Sequence, residues 1–126
     1  MTWGRQMHVS GGVYQIKDNL IRLPPVEKRQ QHNTRPFLVL SPAKVVQDNK
    51  WPVVVGYPLS TSRKSKTEFD VLVQRHEAAC EQGCWVRVPA IQPVEKKNLD
   101  FYKGQLYSQT LDHVCAAVAA YLGIIG

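Results

Sequence analysis

Short apolar runs, each bounded by prolines or by a cluster of turn residues, recur along most of this chain. The clearest runs are 13–17, 35–42, 51–58, 69–73 and 84–89. Runs of this length, with no long helical pattern between them, favour the strands of a small barrel or sandwich. The run 35–42 is apolar at consecutive positions, which indicates a strand buried on both of its faces. The sequence therefore predicts a mainly β fold.

A single amphipathic helix is predicted at the C-terminal end. Apolar side chains recur there at steps of three and four residues and form one stripe, at Leu111, Val114, Cys115, Val118 and Leu122. The hydroxyl of Ser108 or Thr110 is expected to cap the first turn, because a side-chain oxygen there can accept from a free amide. Gly123 supplies a natural stop. We expect this helix to lie across the β structure.

Length and composition are those of one ordinary globular domain. The chain has 126 residues, 44% of them apolar and 21% charged, and a chain of this size folds without a disulfide or a metal. We expect residues 1–126 to form a single domain, with residues 1–10 as a loose N-terminal arm. Residues 18–34 contain two adjacent prolines and several charges. They are expected to form a long functional loop, since loops beyond about 12 residues are usually functional or disordered.

The net charge of +6 and the pI near 9.4 favour a negatively charged partner. Basic side chains attract polyanions through the release of condensed counterions and through long-range steering. They cluster here in two predicted loops, with Lys28, Arg29 and Arg35 in the first and Arg63, Lys64 and Lys66 in the second. Charge alone is equally compatible with a basic protein that has no such partner.

The cysteines indicate free thiols in a reducing compartment. Their number is odd, at Cys80, Cys84 and Cys115, and the first residues show no hydrophobic signal core, so a cytoplasmic location is expected. Cys80 and Cys84 resemble half of a metal site, but no second Cys/His pair follows at zinc-finger spacing. We expect no metal and no cofactor. No apolar run approaches the roughly 20 residues that span a bilayer, so no membrane partner is expected.

Several segments, read in order, resemble the MazF/PemK/Kid family of toxins. The strongest is Arg35-Pro36-Phe37-Leu38-Val39-Leu40-Ser41, which matches the family's Arg-Pro-x-Leu/Val-Val-Leu-Ser strand. Gly12-Val13-Tyr14 is similar to the family's opening strand but lacks its acidic residue. Tyr57-Pro58-Leu59-Ser60-Thr61 corresponds to the strand that ends in a Thr segment, and Tyr121-Leu122-Gly123 to the end of the terminal helix. These segments occur in the same order as in the family, and together they extend over most of residues 11–123.

The resemblance implies a fold, an activity and partners. The fold is an SH3-like small antiparallel β-barrel of the PemK/CcdB-like form, mainly β with a C-terminal helix. The activity is sequence-selective cleavage of single-stranded RNA without a metal. The partners are single-stranded RNA, a cognate acidic antitoxin and a second copy of the chain in a homodimer.

The implied chemistry explains the residue types. Attack by a ribose 2′-hydroxyl on its own phosphodiester needs a base, an acid and donors for the phosphorane charge. In the resembled family an arginine and a threonine serve as donors, and these roles map to Arg35 and Ser60, with Thr61 as the alternative. His32 is a candidate acid or base, because histidine titrates near neutral pH. The other candidates bind the RNA backbone: Lys28, Arg29, Arg63, Lys64 and Lys66.

Each candidate also has a structural alternative. Arg35 is compatible with a solvated strand flank or a surface salt bridge, and Ser60 and Thr61 with turn residues that bond their own backbone. A loop histidine such as His32 needs no role beyond exposure. One departure from the family concerns the loop after the last long strand. Gln92 is retained there, but Ile91 occupies the position of an acidic residue that some members use, and Glu95 is the nearest carboxylate in sequence.

A different class of function remains open. The alternative is a non-catalytic SH3-like barrel that binds nucleic acid or a protein partner through its basic loops, since a fold does not dictate a function. A third option is an accessory domain whose basic loops serve only solubility. The nuclease hypothesis predicts that Arg35→Ala abolishes RNA cleavage and leaves the fold intact.

Overall fold

The fold is a curled antiparallel sheet with one long helix at its C-terminal end. The computed structural model describes residues 10–23, 33–63 and 66–124. Within these ranges the strands are β1 (Gly12–Lys17), β2 (Thr34–Val39), β3 (Val53–Ser60), β4 (Val71–Val73), β5 (Cys84–Val86), β6 (Gln92–Glu95) and β7 (Tyr102–Gln105). The α-helices are α1 (Ala43–Val46) and α2 (Ser108–Tyr121), and 3-10 turns cover Asp18–Leu20, Glu77–Ala79, Val88–Ala90 and Lys96–Asn98.

Strand β3 gives the sheet its curl, because it changes partner along its length. The spatial order is β4-β5-β3-β2-β1-β7, and β6 pairs with β3 off this path. The first half of β3 pairs with β6, from Val53 to Gly56, whereas its end pairs with β5 at Leu59 and Ser60. All pairs are antiparallel. The result is a half-barrel, which confirms the predicted mainly β fold with a C-terminal helix.

Both faces of the central strands are buried. Along β2, Phe37 and Val39 point into one core with α1, while Leu38 points into the other core with Val114 of α2. Side chains alternate between the two faces of a strand, so a strand covered on both sides reads as a continuous apolar run. The prediction that run 35–42 is buried on both sides is therefore confirmed.

Strands β6 and β7 were not predicted from the sequence. The segment Gln92–Glu95 contains a proline and Tyr102–Gln105 contains a glycine, and neither shows an apolar alternation. Their pairing with β3 and β1 comes from the curl of the sheet, which brings distant segments alongside. The segment after β1 is packed as well, because Ile21 and Leu23 are buried in the core that contains α1.

Helix α2 differs from its prediction at the N-terminus. The residue before the helix is Tyr107, and neither Ser108 nor Thr110 supplies a side-chain cap. The amide of Tyr107 instead donates to the carboxylate of Glu77 (2.9 Å), so a distant residue replaces the expected local cap. The end is as predicted, since Gly123 has a left-handed φ of 75°.

The predicted apolar stripe of α2 meets the core mainly at its centre. Val114 is fully buried, Val118 packs against the core, and Cys115 and Leu122 are exposed. In the described part of the chain, neither helix has the length and apolarity that a bilayer crossing requires.

We predict that Gly56→Ala strongly destabilises the fold. A Cβ at this position would lie 1.9 Å from the backbone oxygen of Leu38 and 2.6 Å from the ring of Phe37. The neighbouring strand would have to move, so we expect a loss of at least about 2 kcal/mol in the free energy of unfolding, measured with urea. Gly83→Ala is the matched control: its Cβ would meet Val73 at 3.5 Å, and the expected change is within about 1 kcal/mol. Equal effects of the two substitutions would contradict this packing.

Candidate functional site

Arg35 forms a buried ion pair with Asp18. Its Nε donates to Asp18 Oδ1 (2.8 Å) and its Nη2 to Asp18 Oδ2 (3.3 Å). Nη1 donates to the carbonyl of Leu59 (3.0 Å). The Arg35 side chain is 6% exposed and that of Asp18 is 0% exposed. This planar two-pronged contact fixes the orientation of the guanidinium.

Three elements meet at this pair. In the β1–β2 ladder Arg35 lies opposite Ile16, and Asp18 follows two residues later at the end of β1. The end of β3 supplies the Leu59 carbonyl. The guanidinium therefore joins the start of β2 to β1 and β3. The alternatives in which Arg35 is a solvated flank or a surface salt bridge are wrong, because the group is buried.

A second buried ion pair orders the segment after β3. Arg87 Nε lies 3.0 Å from Asp70 Oδ2, with side-chain exposures of 6% and 0%. Its Nη1 donates to the carbonyl of Ser62 (3.2 Å). Arg87 thus ties the end of β5 to the beginning of the polar loop that follows β3.

The Arg35 guanidinium lines a cavity of about 360 Å³ at this end of the sheet. Binding sites for small molecules typically occupy roughly 300–1,000 Å³, so the cavity has the size of such a site. Its walls come from strands β1, β2, β3, β5 and β7, from the residue after β3 and from the segment between β4 and β5. The lining residues are Gln15, Thr34, Arg35, Pro36, Leu59, Thr61, Cys80, Glu81, Gln82, Cys84 and Lys103.

The chemistry of the lining suits an anion with further polar groups. Arg35 and Lys103 contribute positive charge, and Glu81 is the carboxylate among the lining residues. Gln15 Oε1 is a buried acceptor that has no hydrogen-bond partner among the described residues. Because an unpaired buried acceptor is costly, a ligand that donates a hydrogen bond to it would be favoured. The cavity therefore combines cations with an unused acceptor.

Ser60 and Thr61 occupy different environments. The hydroxyl of Ser60 accepts from the amide of Ser62 (3.1 Å), the turn contact that short hydroxyl side chains often make. Ser60 is buried and is not part of the cavity wall, whereas Thr61 is exposed and lines the cavity with Arg35. The structure thus brings together Arg35 and Thr61, and the catalytic roles of all three residues stay predictions.

The predicted basic groups are only partly within the described residues. Arg63 and Lys66 are exposed, and Lys66 Nζ lies 4.5 Å from the ring centre of Trp85, a cation–π distance. Neither lines the cavity. Four further candidates lie outside the described residues: Lys28, Arg29, His32 and Lys64.

Gln92, the residue retained from the family pattern, has a structural role. Its Nε2 donates to the carbonyl of Arg22 (2.8 Å), and its Oε1 accepts from the amide of Arg22 (3.0 Å). It therefore fixes the segment after β1. Ile91 packs against the core, and Glu95 pairs with Lys97 on the surface (3.2 Å). Neither Glu95 nor Gln92 lines the cavity, so Glu95 does not replace the acidic residue of the family there.

The residues Cys80 and Cys84 form another part of the cavity wall. Both residues are 5% exposed. A hydrogen bond from Cys84 lowers the pKa of the Cys80 thiol to about 7, helped by the charge of Lys103 and opposed by burial and Glu77. The same hydrogen bond, together with burial, raises the pKa of Cys84. Across the described ranges, no group of three or more His, Cys, Asp and Glu side chains is arranged to hold a metal ion.

Asp18, Gln15 and Lys103 were not identified from the sequence. The sequence did contain an indication of a partner such as Asp18. An arginine at the start of a buried strand is expected to pair with a carboxylate, because a buried charge needs a partner. Gln15 and Lys103 carry no such signal. They reach the cavity from β1 and β7, and the pairing of these two strands, with its irregular register, was not evident from the residues.

Residues 19–122 match the protein family described as PemK-like, MazF-like toxin of type II toxin-antitoxin system. No curated protein sequence matches the chain. Among similar solved structures is an endoribonuclease from Mycobacterial species, with a TM-score of 0.66 and 21% identity over 91% of this chain and 90% of that one.

Two further similar structures are complexes. One is an endoribonuclease in complex with its cognate antitoxin from Mycobacterial species, with a TM-score of 0.70 and 20% identity over 94% of this chain and 97% of that one. The other is MazE-MazF (Form-II) from Deinococcus radiodurans, with a TM-score of 0.66 and 16% identity over 90% and 93%. At these identities the similarity shows the fold, which matches the half-barrel described above.

We predict that Arg35→Met destabilises the protein by about 3–5 kcal/mol, because it removes the guanidinium that pairs with the buried Asp18 carboxylate. This differs from the expectation drawn from the sequence, in which the fold tolerates loss of Arg35. Urea unfolding provides the measurement. Lys97→Met is the control, since it removes an exposed ion pair and should change stability by less than about 1 kcal/mol. If the two substitutions cost the same, the buried pair does not stabilise the fold as argued.

Proposed function

This chain belongs to the family of PemK-like, MazF-like toxins of type II toxin-antitoxin systems, and from that premise we propose that it is an endoribonuclease that cleaves single-stranded RNA in the Arg35 cavity. The match spans residues 19–122. The similar structures from Mycobacterial species carry the name endoribonuclease. The observation that carries the proposal is the cavity itself, which Arg35, with its guanidinium held by three hydrogen bonds, lines together with Thr61 and a second cation, Lys103.

The Arg35 guanidinium is suited to hold a phosphate in a defined position. The Asp18 carboxylate accepts one hydrogen bond from Nε and one from Nη2, and the Leu59 carbonyl accepts one from Nη1. The terminal nitrogens carry further N–H groups, and the guanidinium lines the cavity. Donors that are already oriented need no reorganisation as negative charge develops on the phosphorane, which makes them effective in stabilising the transition state.

Thr61 and Lys103 complete the proposed phosphate site. The Thr61 hydroxyl supplies a neutral donor at the end of β3, and the Lys103 ammonium supplies a second positive charge from β7. Gln15 Oε1 is an acceptor for a donor group of the substrate, such as a ribose hydroxyl or an amino group of a base. Splayed bases of single-stranded RNA present such edges.

Proton transfer needs a base for the 2′-hydroxyl and an acid for the 5′-oxygen. We propose His32 for one of these roles on the strength of its titration range and its position three residues before Arg35. We assign Lys28, Arg29, Arg63, Lys64 and Lys66 to the RNA backbone. The net charge of +6 supports this assignment, because a positively charged protein attracts a polyanion at low ionic strength. The proposed reaction uses no metal and no cofactor.

The proposed partners follow from the family. One similar structure is a complex with a cognate antitoxin, and we propose that this chain is inhibited by an antitoxin with an acidic segment that competes with RNA for the cationic cavity. Its RNA substrate and its free cysteines fit a cytoplasmic location.

We also propose a homodimer. Large apolar side chains are exposed in the stretch 101–107, with Phe101 73%, Tyr102 46% and Tyr107 56% exposed, and exposed apolar groups of this size often mark an interface. Light scattering should give twice the chain mass of 14.3 kDa. A mass of one chain at the concentration of the cleavage assay would remove the dimer from the proposal.

The alternative function is a non-catalytic barrel that binds nucleic acid or a protein partner. Two observations favour it: the Ser60 hydroxyl is used within its own turn, and Ile91 stands where some family members have a carboxylate. RNA that is retained at low salt, released at moderate salt and recovered uncut would support this alternative.

We predict that the purified protein cuts a mixed-sequence single-stranded RNA in the presence of EDTA. Thr61→Val should reduce kcat about 100-fold, because it removes one donor to the developing charge. Lys103→Met should reduce cleavage at least about tenfold through the loss of a cavity cation. Cleavage rates are measured on a labelled RNA with each variant, and induced expression should arrest growth in proportion to those rates.

Matched controls separate the cavity from general effects. Thr110→Val removes a buried threonine of α2 that does not line the cavity, and Lys97→Met removes an exposed lysine of the same charge. Both should cleave within about threefold of the unmodified protein, since neither touches the proposed phosphate site. Uncut RNA with the unmodified protein, or equal losses in the cavity and control variants, argues against the assigned site.

A further inference from the structure

We propose that Cys80 and Cys84 form an oxidation site, at which a hydroperoxide converts the two thiols into an intramolecular disulfide in the wall of the Arg35 cavity. Both residues line the cavity and belong to one buried core cluster, and each thiol shifts the pKa of the other. Neither thiol is one of the proposed phosphate-binding groups, although the charge of Lys103 acts on Cys80. Its effect on RNA cleavage rests on the proposed function, whereas its oxidation chemistry does not.

The cavity gives a small oxidant access to thiols that are otherwise enclosed. Each cysteine is 5% exposed, so a large reagent is excluded, but both contribute to the cavity wall. Cys115 differs, since it lies exposed on α2. The chain therefore contains one open thiol and one enclosed pair, and they are distinguishable by their reactivity.

The two thiols are held close by contacts on both sides. Cys84 starts β5 and pairs with Val73 of β4. Cys80 follows the 3-10 turn Glu77–Ala79, and its carbonyl accepts from the amide of His76 (2.7 Å). A disulfide needs an S–S distance of about 2.05 Å. Two cysteines that line one cavity and are separated by three residues reach it through movement of the connecting residues 81–83.

The turn that carries Cys80 is fixed by a buried carboxylate. Glu77 is fully buried, and its two oxygens accept from the amides of Gln74 (3.0 Å) and Tyr107 (2.9 Å). Ala78 and Ala79 have φ values of 51° and 55°, which cost energy in non-glycine residues and persist where the surroundings enforce them. The fold thus enforces the geometry that places Cys80 beside Cys84.

The pair contains one activated thiol and one thiol that stays protonated. The hydrogen bond from Cys84 and the nearby charge of Lys103 favour the thiolate of Cys80 and lower its pKa to about 7. The pKa of Cys84 is raised. The thiolate is the form that attacks an oxidant, and a neighbouring thiol resolves the product.

The proposed reaction balances in two steps. The Cys80 thiolate attacks one oxygen of the hydroperoxide, the O–O bond breaks, and Cys80 becomes a sulfenic acid while the remaining oxygen leaves as hydroxide or alkoxide and takes up a proton. Cys84 sulfur then attacks the Cys80 sulfur, and the S–OH bond breaks with release of water. Both thiols are oxidised, the peroxide is reduced, and a cellular thiol reverses the change by disulfide exchange.

The disulfide would alter the cavity. Residues 81–83 connect the two cysteines, and Glu81 and Gln82 line the cavity with them. Closing the S–S bond draws this short segment inward and removes the Cys80 thiolate that faces Lys103. We therefore expect the oxidised protein to cleave RNA at least about tenfold more slowly, since small displacements of positioned groups have effects of this size.

The experiment uses the full chain with Cys115→Ser, so that only the proposed pair can react. The protein is treated with hydrogen peroxide, unfolded and alkylated with N-ethylmaleimide, and its mass is then measured by mass spectrometry. The expected product has lost two hydrogen atoms and carries no maleimide, and dithiothreitol restores two reactive thiols. Two alkylated cysteines after peroxide treatment, or a covalent dimer in place of the intramolecular bond, overturns the proposal.

Single substitutions provide the controls. Cys84→Ser should stop oxidation at the sulfenic acid of Cys80, which dimedone traps, whereas Cys80→Ser should react much more slowly with peroxide. Equal rates for the two variants would overturn the assignment of Cys80 as the attacking thiol. The Cys115→Ser protein, which keeps both Cys80 and Cys84, gives the decisive mass by itself. The result therefore holds even if Cys80→Ser or Cys84→Ser does not fold.

RNA cleavage by the oxidised and reduced forms completes the test. A loss that dithiothreitol reverses supports the effect on the cavity, and unchanged cleavage by fully oxidised protein overturns that effect. Failure of the reduced protein to cleave any RNA overturns the proposed nuclease and leaves the mass result standing, because the oxidation assay contains no RNA.

Discussion

The buried pair of Arg35 and Asp18 is the contact on which the rest of the site depends. Both charges are removed from water, which is costly, and hydrogen bonds from three nitrogens of the guanidinium help to offset that cost. The same contact joins β2 to the end of β1 and the end of β3. Stability and site geometry are therefore coupled, and a substitution of Arg35 alters both.

The curl of the sheet builds the remaining walls around this pair. Strand β3 pairs first with β6 and then with β5, and that change of partner brings the segment between β4 and β5 towards β1 and β7. A second buried ion pair, between Arg87 and Asp70, ties down the loop after β3, and buried Glu77 fixes the turn before Cys80. Each wall is thus anchored by a buried charged side chain.

The cavity places two kinds of reactive group side by side. Arg35 and Thr61 line it together with Cys80, Cys84 and Lys103, and the charge of Lys103 acts on the Cys80 thiol. Lys103 connects them, because its charge is available to a phosphate and also stabilises the Cys80 thiolate. A polyanionic substrate and the thiolate would compete for this ammonium group, which gives a physical link between the proposed nuclease and the proposed oxidation site.

The sequence by itself determined the parts that repeat locally: the apolar strand runs, the two-sided burial of run 35–42, the terminal helix with its stop at Gly123, and the segment around Arg35. Their signal is a periodicity or a short motif, which neighbouring residues supply. Only the tertiary structure decided that Asp18 pairs with Arg35, that Thr61 and not Ser60 lines the cavity, and that Lys103 reaches it from β7. These contacts join segments far apart in the chain, and they depend on how the sheet curls, a property that no short stretch of residues encodes.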